Sequence, residues 1–192
     1  IEDKGRRETW VETVQRYTDY LHSKGINLTG QDWDDIEGAI LELEVMPSMR
    51  ALMTAGVAAD RDNTCIYNCS YVAVDHPRAF DEAMFILLCG TGVGFSVERQ
   101  AISQLPEIPN TLGQSEDVIA VQDSKEGWAK ALRKLISLLY TGDIPKWDLD
   151  KIRPAGSRLK TFGGRASGPE PLNDLFNFVV AKFKGAMGRK LN

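Results

Sequence analysis

A three- to four-residue spacing of apolar side chains predicts two helices near the N-terminus. The first predicted helix contains the apolar positions from Trp10 to Leu21 and stops before Gly25. The second extends from Trp33 to about Val45. From Cys65 to Val74 the period changes to two, with apolar side chains on both faces. That pattern is typical of a central strand of a sheet.

Beyond this strand the pattern alternates between helices and strands, which indicates an α/β fold with parallel strands. The first expected helix is capped by Asp75 and ended by Gly90, and a strand in "GVGFSVER" follows it. A polar connection then runs from Gln104 to about Gln122, before a helix that begins with Asp123 and Glu126 at capping-box spacing. The last expected elements are a strand around "WDLDKIRP" and a helix from Leu172 to Lys184. We predict an N-terminal helical segment over residues 1–45 and an α/β domain over residues 46–192.

Composition narrows the class of protein. The 192 residues are 43% hydrophobic and 26% charged, as in ordinary folded domains, and the net charge of −4 does not favour a nucleic-acid polymer as partner. No apolar run approaches the ~20 residues of a membrane span, and the charged start is not a secretory signal. Three cysteines without such a signal favour a cytoplasmic, reducing setting.

The cysteines raise the question of chemistry. Cys65, Cys69 and Cys89 do not occur in the paired short spacings of a metal site, so we expect no metal. A strand would hold Cys65 and Cys69 roughly 13 Å apart. A disulfide needs Cα atoms within about 7 Å, so this pair would require a bend. From the pattern alone, Cys69 is either a small buried hydrophobe or a reactive thiol between two polar residues.

Two glycine-rich segments are candidates for ligand contact. "CGTGVGFSV" runs from helix to strand, the reverse of a dinucleotide fingerprint, but its glycines let a ligand approach the backbone. The alternative is a tight helix–strand turn. "TFGGRASGP" places Arg165, a planar donor for phosphate or a base edge, in a polar loop. The alternative there is a mobile surface loop.

The end of the chain suggests an incomplete protein. A parallel sheet that stops after three or four strands leaves an open edge, which folded proteins normally cover. We therefore expect the chain to be part of something larger.

Six segments occur in an order that resembles one enzyme family. They are "MPSMRALMTAG", "YNCSYVAV", "CGTGVGFSVER", "DSKEGW", "IRPAGSRLKTFGGRASGPEPL" and "GRKLN". The order resembles the adenosylcobalamin-dependent (class II) ribonucleotide reductases, most closely the ribonucleoside-triphosphate branch. The resemblance implies N-terminal helices followed by the first half of a ten-stranded α/β barrel. It also implies thiyl-radical replacement of the ribose 2′-hydroxyl by hydrogen, with adenosylcobalamin as cofactor.

The resemblance assigns roles to residues. Cys69, in "YNC", matches the first-strand cysteine of the reducing thiol pair, whereas Cys65 matches nothing and is left structural. The positions implied to contact substrate are Ser48, Asn68, Cys69, Gly90, Thr91, Gly92 and Gly94. The positions implied to hold a deoxynucleotide effector are Asp75, Arg99, Gly163, Gly164, Arg165, Ala166, Ser167 and Gly168.

The resemblance also implies partners, and the sequence departs from the family pattern. The radical cysteine and the C-terminal cysteine pair are absent, so we expect a C-terminal half as a second chain, besides ribonucleotide and a thioredoxin-like or dithiol reductant. The connection "QLPEIPNTLGQSEDVIAVQ" is short, so we expect the long insertion of the monomeric branch to be missing and effector binding to depend on dimerisation. Two alternatives remain: a fragment of a class I large subunit, or a nucleotide-binding regulatory module without catalysis.

Overall fold

The computed structural model describes residues 6–159 and 164–191, and the chain divides into two compact units, Ile1–Asn68 and Cys69–Asn192. Each unit is described by itself. The division falls at Asn68, whereas the sequence pattern suggested a boundary at residue 45. The predicted domain boundary concerns a complete protein and stays a prediction.

Two helices begin the N-terminal unit, as predicted, although the second begins and ends earlier than its apolar spacing suggested. Helix α1 spans Trp10–Ser23 and α2 spans Gly30–Leu41. Thr9 and Thr29 each form a capping box with the acid three residues later, which satisfies the free N–H groups of the first turn. The helices pack through buried side chains such as Val14 and Ile40.

The segment after α2, for which the apolar pattern predicted no element, is largely helical. Helices α3 (Met49–Thr54) and α4 (Val57–Arg61) are followed by a 3₁₀ turn over Asn63–Ile66. The strand predicted from Cys65 is therefore wrong at its start, because Asp62 accepts a hydrogen bond from the Thr64 backbone at 3.0 Å and begins this turn.

The C-terminal unit begins with a parallel strand–helix–strand motif. Strand β1 spans Cys69–Ala73, helix α5 spans Arg78–Leu88 and strand β2 spans Gly92–Ser96. Pro77, not Asp75, occupies the N-cap of α5. The strand in "GVGFSVER" and the stop of the preceding helix near Gly90 are confirmed.

A second strand–helix–strand motif follows the short helix α6 (Arg99–Ile102). Strand β3 spans Gly113–Ala120, α7 spans Lys125–Thr141 and β4 spans Asp143–Asp148. The predicted polar connection therefore contains a strand, and the last predicted strand begins earlier than "WDLDKIRP".

The cap of α7 is Ser124, whose hydroxyl accepts from the Gly127 backbone at 3.0 Å. The predicted capping by Asp123 is wrong, since its carboxylate accepts a 2.7 Å hydrogen bond from Arg153 instead.

Helix α8 (Glu170–Lys184) closes the core of this unit against α7 and the β3–β4 pair. Leu135, Leu139, Leu172 and Phe176 are fully buried there. The apolar stripes of the two amphipathic helices thus meet over one sheet.

The observed fold is α/β with parallel strands, as predicted. Within the described residues the four strands form two separate two-stranded sheets, β1–β2 and β3–β4, rather than one. The ten-stranded barrel remains a prediction. In the described part of the chain, no helix is both long and apolar enough to cross a membrane.

Candidate functional site

Cys69 is the first residue of β1, and it is exposed and not part of a disulfide. Cys65 is buried in the 3₁₀ turn, and Cys89 is buried at the end of α5. None of the three is in a disulfide. Cys69 is therefore the cysteine whose sulfur can reach a ligand from solvent.

The register of the first sheet places glycines beside Cys69. Cys69 pairs with Gly92, and Tyr71 pairs with Gly94. Side chains alternate along a strand, so Cys69 and Tyr71 share a face with the two glycine positions. Gly92 and Gly94 carry no side chains, which leaves room beside the thiol.

The glycine at position 94 is not needed for packing within the chain. A Cβ built there would lie 3.6 Å from the Ser70 carbonyl oxygen, an ordinary contact, and its φ does not require glycine. Access to the backbone is the remaining physical reason for a glycine beside an exposed thiol.

A tight turn holds this face at the end of α5. Gly90 adopts a φ of +83°, and its N–H donates to the Leu87 carbonyl at 2.8 Å. Thr91 follows and is fully buried, with its N–H donating to Ile86. The sequence pattern left two interpretations for this segment, a ligand-binding loop or a helix–strand turn. The structure has a helix–strand turn that leads into β2.

The buried thiol of Cys89 lies behind that turn and contacts a lysine. The ammonium of Lys125, at the start of α7, is 3.0 Å from Cys89 Sγ and 4.9 Å from the centroid of the Phe85 ring. This contact links α7 to the segment that precedes β2. The sequence pattern gave no sign of it.

Two of the proposed substrate positions belong to the N-terminal unit. Ser48 is exposed and caps α3, with its hydroxyl accepting from the Ala51 backbone at 3.4 Å. Asn68 is exposed and directly precedes Cys69. The assignments of Ser48 and Asn68 stay predictions.

The proposed effector positions lie at the ends of elements in the C-terminal unit. Asp75 follows β1, and its carboxylate is 3.7 Å from the His76 ring nitrogen. Arg99 is the exposed first residue of α6. Neither position is joined to the other by a described hydrogen bond, and both assignments remain predictions.

Residues 156–159 and 164–166 pair in antiparallel fashion, and we call this pair the hairpin. Gly156 N–H donates to Ala166 O at 2.8 Å, Ala166 N–H donates to Ser157 O at 2.7 Å, and Arg158 bridges antiparallel to Arg165. The Arg165 guanidinium also donates to the Gly156 carbonyl at 2.8 Å.

Of the remaining effector positions, Gly164 and Ala166 belong to this hairpin, and Ser167 and Gly168 follow it. Gly164 and Gly168 have φ near +84° and +83°, and Ser167 is exposed, whereas Gly163 lies outside the described residues. The backbone of Ala166 is engaged in the hairpin, and the Ser167 hydroxyl donates to the Gly168 carbonyl at 3.3 Å.

A cavity of about 390 Å³ lies between α5 and α7, away from Cys69. Its lining includes Asp81, which is buried and receives two hydrogen bonds from Arg133, at 2.7 and 2.9 Å, on a single carboxylate oxygen. These hydrogen bonds raise the pKa of Arg133. The pair was missed from the sequence, although a charged residue between the apolar Phe80 and Met84 implies a buried partner.

The cavity between α5 and α7 is not assigned as a site for the expected cofactor. Six charged side chains line the cavity, which does not fit the apolar face of a corrin ring. We therefore assign no cobalamin contact to this chain. Within the described ranges, no cluster of three or more potential ligands could hold a metal ion.

Comparison with known proteins identifies relatives along the whole chain. A reductase from Euglena gracilis, named adenosylcobalamin-dependent ribonucleoside-triphosphate reductase, is 29% identical over 213 residues, covering 99% of this chain and 29% of the relative. The enzyme of the same name from Lactobacillus leichmannii is 28% identical over 259 residues, covering 100% of this chain and 35% of the relative. The chain thus spans about a third of the length of these relatives.

The structural comparison supports the same fold. A crystal structure of a B-12 dependent (class II) ribonucleotide reductase matches with a TM-score of 0.82 at 24% identity, covering all of this chain and 36% of the other. At that identity the match establishes the fold.

The insertion expected to be missing is present at least in part. The family model described as "B12-dependent ribonucleotide reductase, insertion domain" matches residues 98–181, which include the segment judged too short. The Lactobacillus leichmannii alignment nevertheless runs over 259 residues against a chain of 192, so that relative carries additional residues within the matched span. The resemblance seen in the sequence is confirmed: the chain is a homologue of the adenosylcobalamin-dependent (class II) ribonucleotide reductases and matches about a third of their length.

Proposed function

We propose that this chain forms the N-terminal part of an adenosylcobalamin-dependent ribonucleotide reductase, with Cys69 as one of the two thiols that reduce the substrate. The observation that carries the proposal is the exposed thiol of Cys69 beside the open backbone of Gly92 and Gly94. The names of the relatives support the reaction type and the cofactor.

Reduction of the ribose requires two thiols next to the same sugar. Replacing the ribose 2′-hydroxyl by hydrogen releases water and consumes two electrons and two protons. Two thiols supply both by closing to a disulfide. In this scheme the Cys69 S–H protonates the leaving 2′-oxygen, and its sulfur then bonds to the second sulfur.

We place the second thiol outside these 192 residues. Cys65 and Cys89 are both buried, and the Cys89 sulfur is engaged by Lys125. A complementary reductase polypeptide, corresponding to the C-terminal part of the relatives, is therefore the proposed partner. We assign the cobalamin site to that polypeptide, and a thioredoxin-like protein or small dithiol reopens the disulfide.

In this proposal the substrate sugar binds at the face of β1–β2 that carries Cys69, and the effector binds at other positions of the C-terminal unit. A ribose can lie against the backbone of Gly92 and Gly94 within reach of the thiol. Asp75, Arg99 and the hairpin with Arg165 are the proposed contacts of a deoxynucleotide effector, because a carboxylate can accept from a sugar hydroxyl and guanidinium groups bind phosphate.

The test is reconstitution. We expect deoxyribonucleotide formation when the chain is mixed with the complementary polypeptide from the same genome, adenosylcobalamin, ribonucleotide and dithiol. Cys69→Ser should abolish turnover without changing folding, because serine cannot close a disulfide. Cys65→Ala is the matched control and should retain turnover, since that sulfur is buried in the 3₁₀ turn.

Two results would contradict the proposal. One is full turnover by the mixture that contains Cys69→Ser, which would leave this chain the role of a nucleotide-binding regulatory module that takes no part in the chemistry. The other is a genome that encodes no complementary polypeptide, either separately or in continuation of this chain.

A further inference from the structure

A band of large apolar side chains on the N-terminal unit faces solvent. We call it the apolar stripe, and it comprises Leu43, Val45, Met46, Met49, Met53 and Val57. Met49, Met53 and Val57 are 73%, 60% and 83% exposed. Single exposed apolar residues are common, but six within fifteen positions mark an interaction surface.

The stripe is not the core-facing side of its own elements. On α3, Leu52 and Thr54 are buried, whereas Met49 and Met53, four residues apart, share the exposed face. Helices that face water carry polar residues on that side. A helix with apolar residues on both sides is typical of a segment that is covered on both sides.

The backbone beneath the stripe is held in place. Arg16 donates to the carbonyls of Leu52 and Ala55, at 2.9 and 2.5 Å, while its guanidinium is paired with Glu8 at 2.8 Å. These hydrogen bonds satisfy carbonyl groups at the C-terminal end of α3. A surface fixed before binding loses less conformational freedom on association.

We propose that the apolar stripe is the docking surface for the complementary reductase polypeptide. This inference rests on the proposed function and goes beyond it by naming where the partner binds. The relatives are about three times longer than this chain, so a complete enzyme has a large additional surface to place against it. Methionine-rich surfaces adapt well to an apolar partner.

The charges around the stripe describe the partner further. Glu42 and Glu44 are exposed beside Leu43 and Val45. The matching surface is therefore an apolar patch with lysine or arginine at its rim. Ser48, a proposed substrate position, lies between Met46 and Met49, so docking covers the stripe next to that residue.

The experiment measures binding and turnover separately. The full chain and the complementary polypeptide from the same genome are titrated by isothermal calorimetry, and turnover is assayed on the same mixtures. Met49→Glu/Met53→Glu should weaken binding roughly tenfold or more, because it places charge in an apolar interface. Val11→Glu, at an exposed apolar position on α1, is the matched control and should bind like wild type. Val57→Ser is a milder second variant, expected to weaken binding without added charge, and circular dichroism checks that each variant is folded.

The outcomes separate the two proposals. Wild-type affinity in both stripe variants overturns the docking assignment, as does loss of binding that is equal for Val11→Glu. If the stripe variants instead abolish self-association of this chain while leaving the complementary polypeptide bound, the occupant is a second copy and the inference is wrong. A complex that depends on the stripe but forms no deoxyribonucleotide overturns the proposed function and leaves the docking surface standing.

Discussion

Gly127 offers a sharp test of how α7 begins. This buried glycine lies in the first turn of α7, and its N–H donates to the Ser124 cap. A Cβ at this position would stand 2.8 Å from Gln122 Cβ and would overlap the Gln122 carbonyl oxygen. Because the obstructing oxygen is backbone, the Gln122–Ser124 turn or the start of α7 must move in Gly127→Ala.

The magnitude follows from three contributions. Overpacking costs about 1–3 kcal/mol, loss of the serine cap costs about 1 kcal/mol, and the better helix propensity of alanine returns about 1 kcal/mol. We expect a net loss of about 1–3 kcal/mol in the free energy of unfolding. For a unit of this size that lowers Tm by roughly 5–15 °C.

The assay is thermal unfolding by circular dichroism, with hydrogen exchange on the first turn of α7. Gly38→Ala is the matched helical control, because a Cβ there meets nothing within 4 Å. We expect that control to stabilise α2 by about 0.5–1 kcal/mol through helix propensity. A wild-type Tm for Gly127→Ala, with unchanged exchange in α7, would refute the packing argument.

Three further predictions concern buried or paired polar groups. Asp81→Ala should lower the free energy of unfolding by about 1–3 kcal/mol in urea titrations, since Arg133 is left without its acceptor but is half-exposed and can reach water. The hydrogen bond from Arg16 is the chief cause that lowers the pKa of Glu8. The contribution of Glu8 to folding stability is therefore full above the ordinary pKa of 4.5 and is lost as pH falls through the folded pKa. Glu8→Gln should flatten that part of the stability–pH curve. Burial raises the pKa of Tyr140 from 10.0 to about 12. The contribution of Tyr140 to folding stability is therefore full below pH 10 and is lost as the pH rises toward about 12. Tyr140→Phe should remove this loss, as measured by alkaline unfolding. Retention of the acid dependence in Glu8→Gln, of the alkaline dependence in Tyr140→Phe, or of wild-type stability in Asp81→Ala would contradict the respective argument.

Periodicity anticipated the long helices because their apolar stripes are regular. The buried face of α7, including Leu132, Leu135 and Leu139, recurs every three to four residues. It failed at β3, where Val118 is exposed and Ile119 is buried within an otherwise polar stretch. A strand paired with only one neighbour carries too few buried positions to stand out from a loop.

Side-chain hydrogen bonds, one local and one long-range, explain two errors at element boundaries. The alternation that seemed to start at Cys65 begins only at Cys69, because Asp62 starts a 3₁₀ turn. Asp123 looked like a helix cap, but a long-range pairing with Arg153 takes its carboxylate. Such pairings join residues far apart in sequence, so spacing alone does not reveal them.

The candidate site was anticipated through motifs rather than through periodicity. The segment "YNC" pointed to Cys69, and the strand register then placed Gly92 opposite it. The Lys125–Cys89 contact and the Asp81–Arg133 pair could not be read from spacing, since each joins α5 or its C-cap to α7, and β2, α6 and β3 lie between them along the chain.

The unequal accessibility of the three sulfurs has a practical consequence. A maleimide carrying a fluorophore or a nitroxide should react with the native chain at one position, without any cysteine having to be engineered away. The label would report from the first strand itself, and nucleotides or partner proteins that approach that strand would change its signal or slow its attachment.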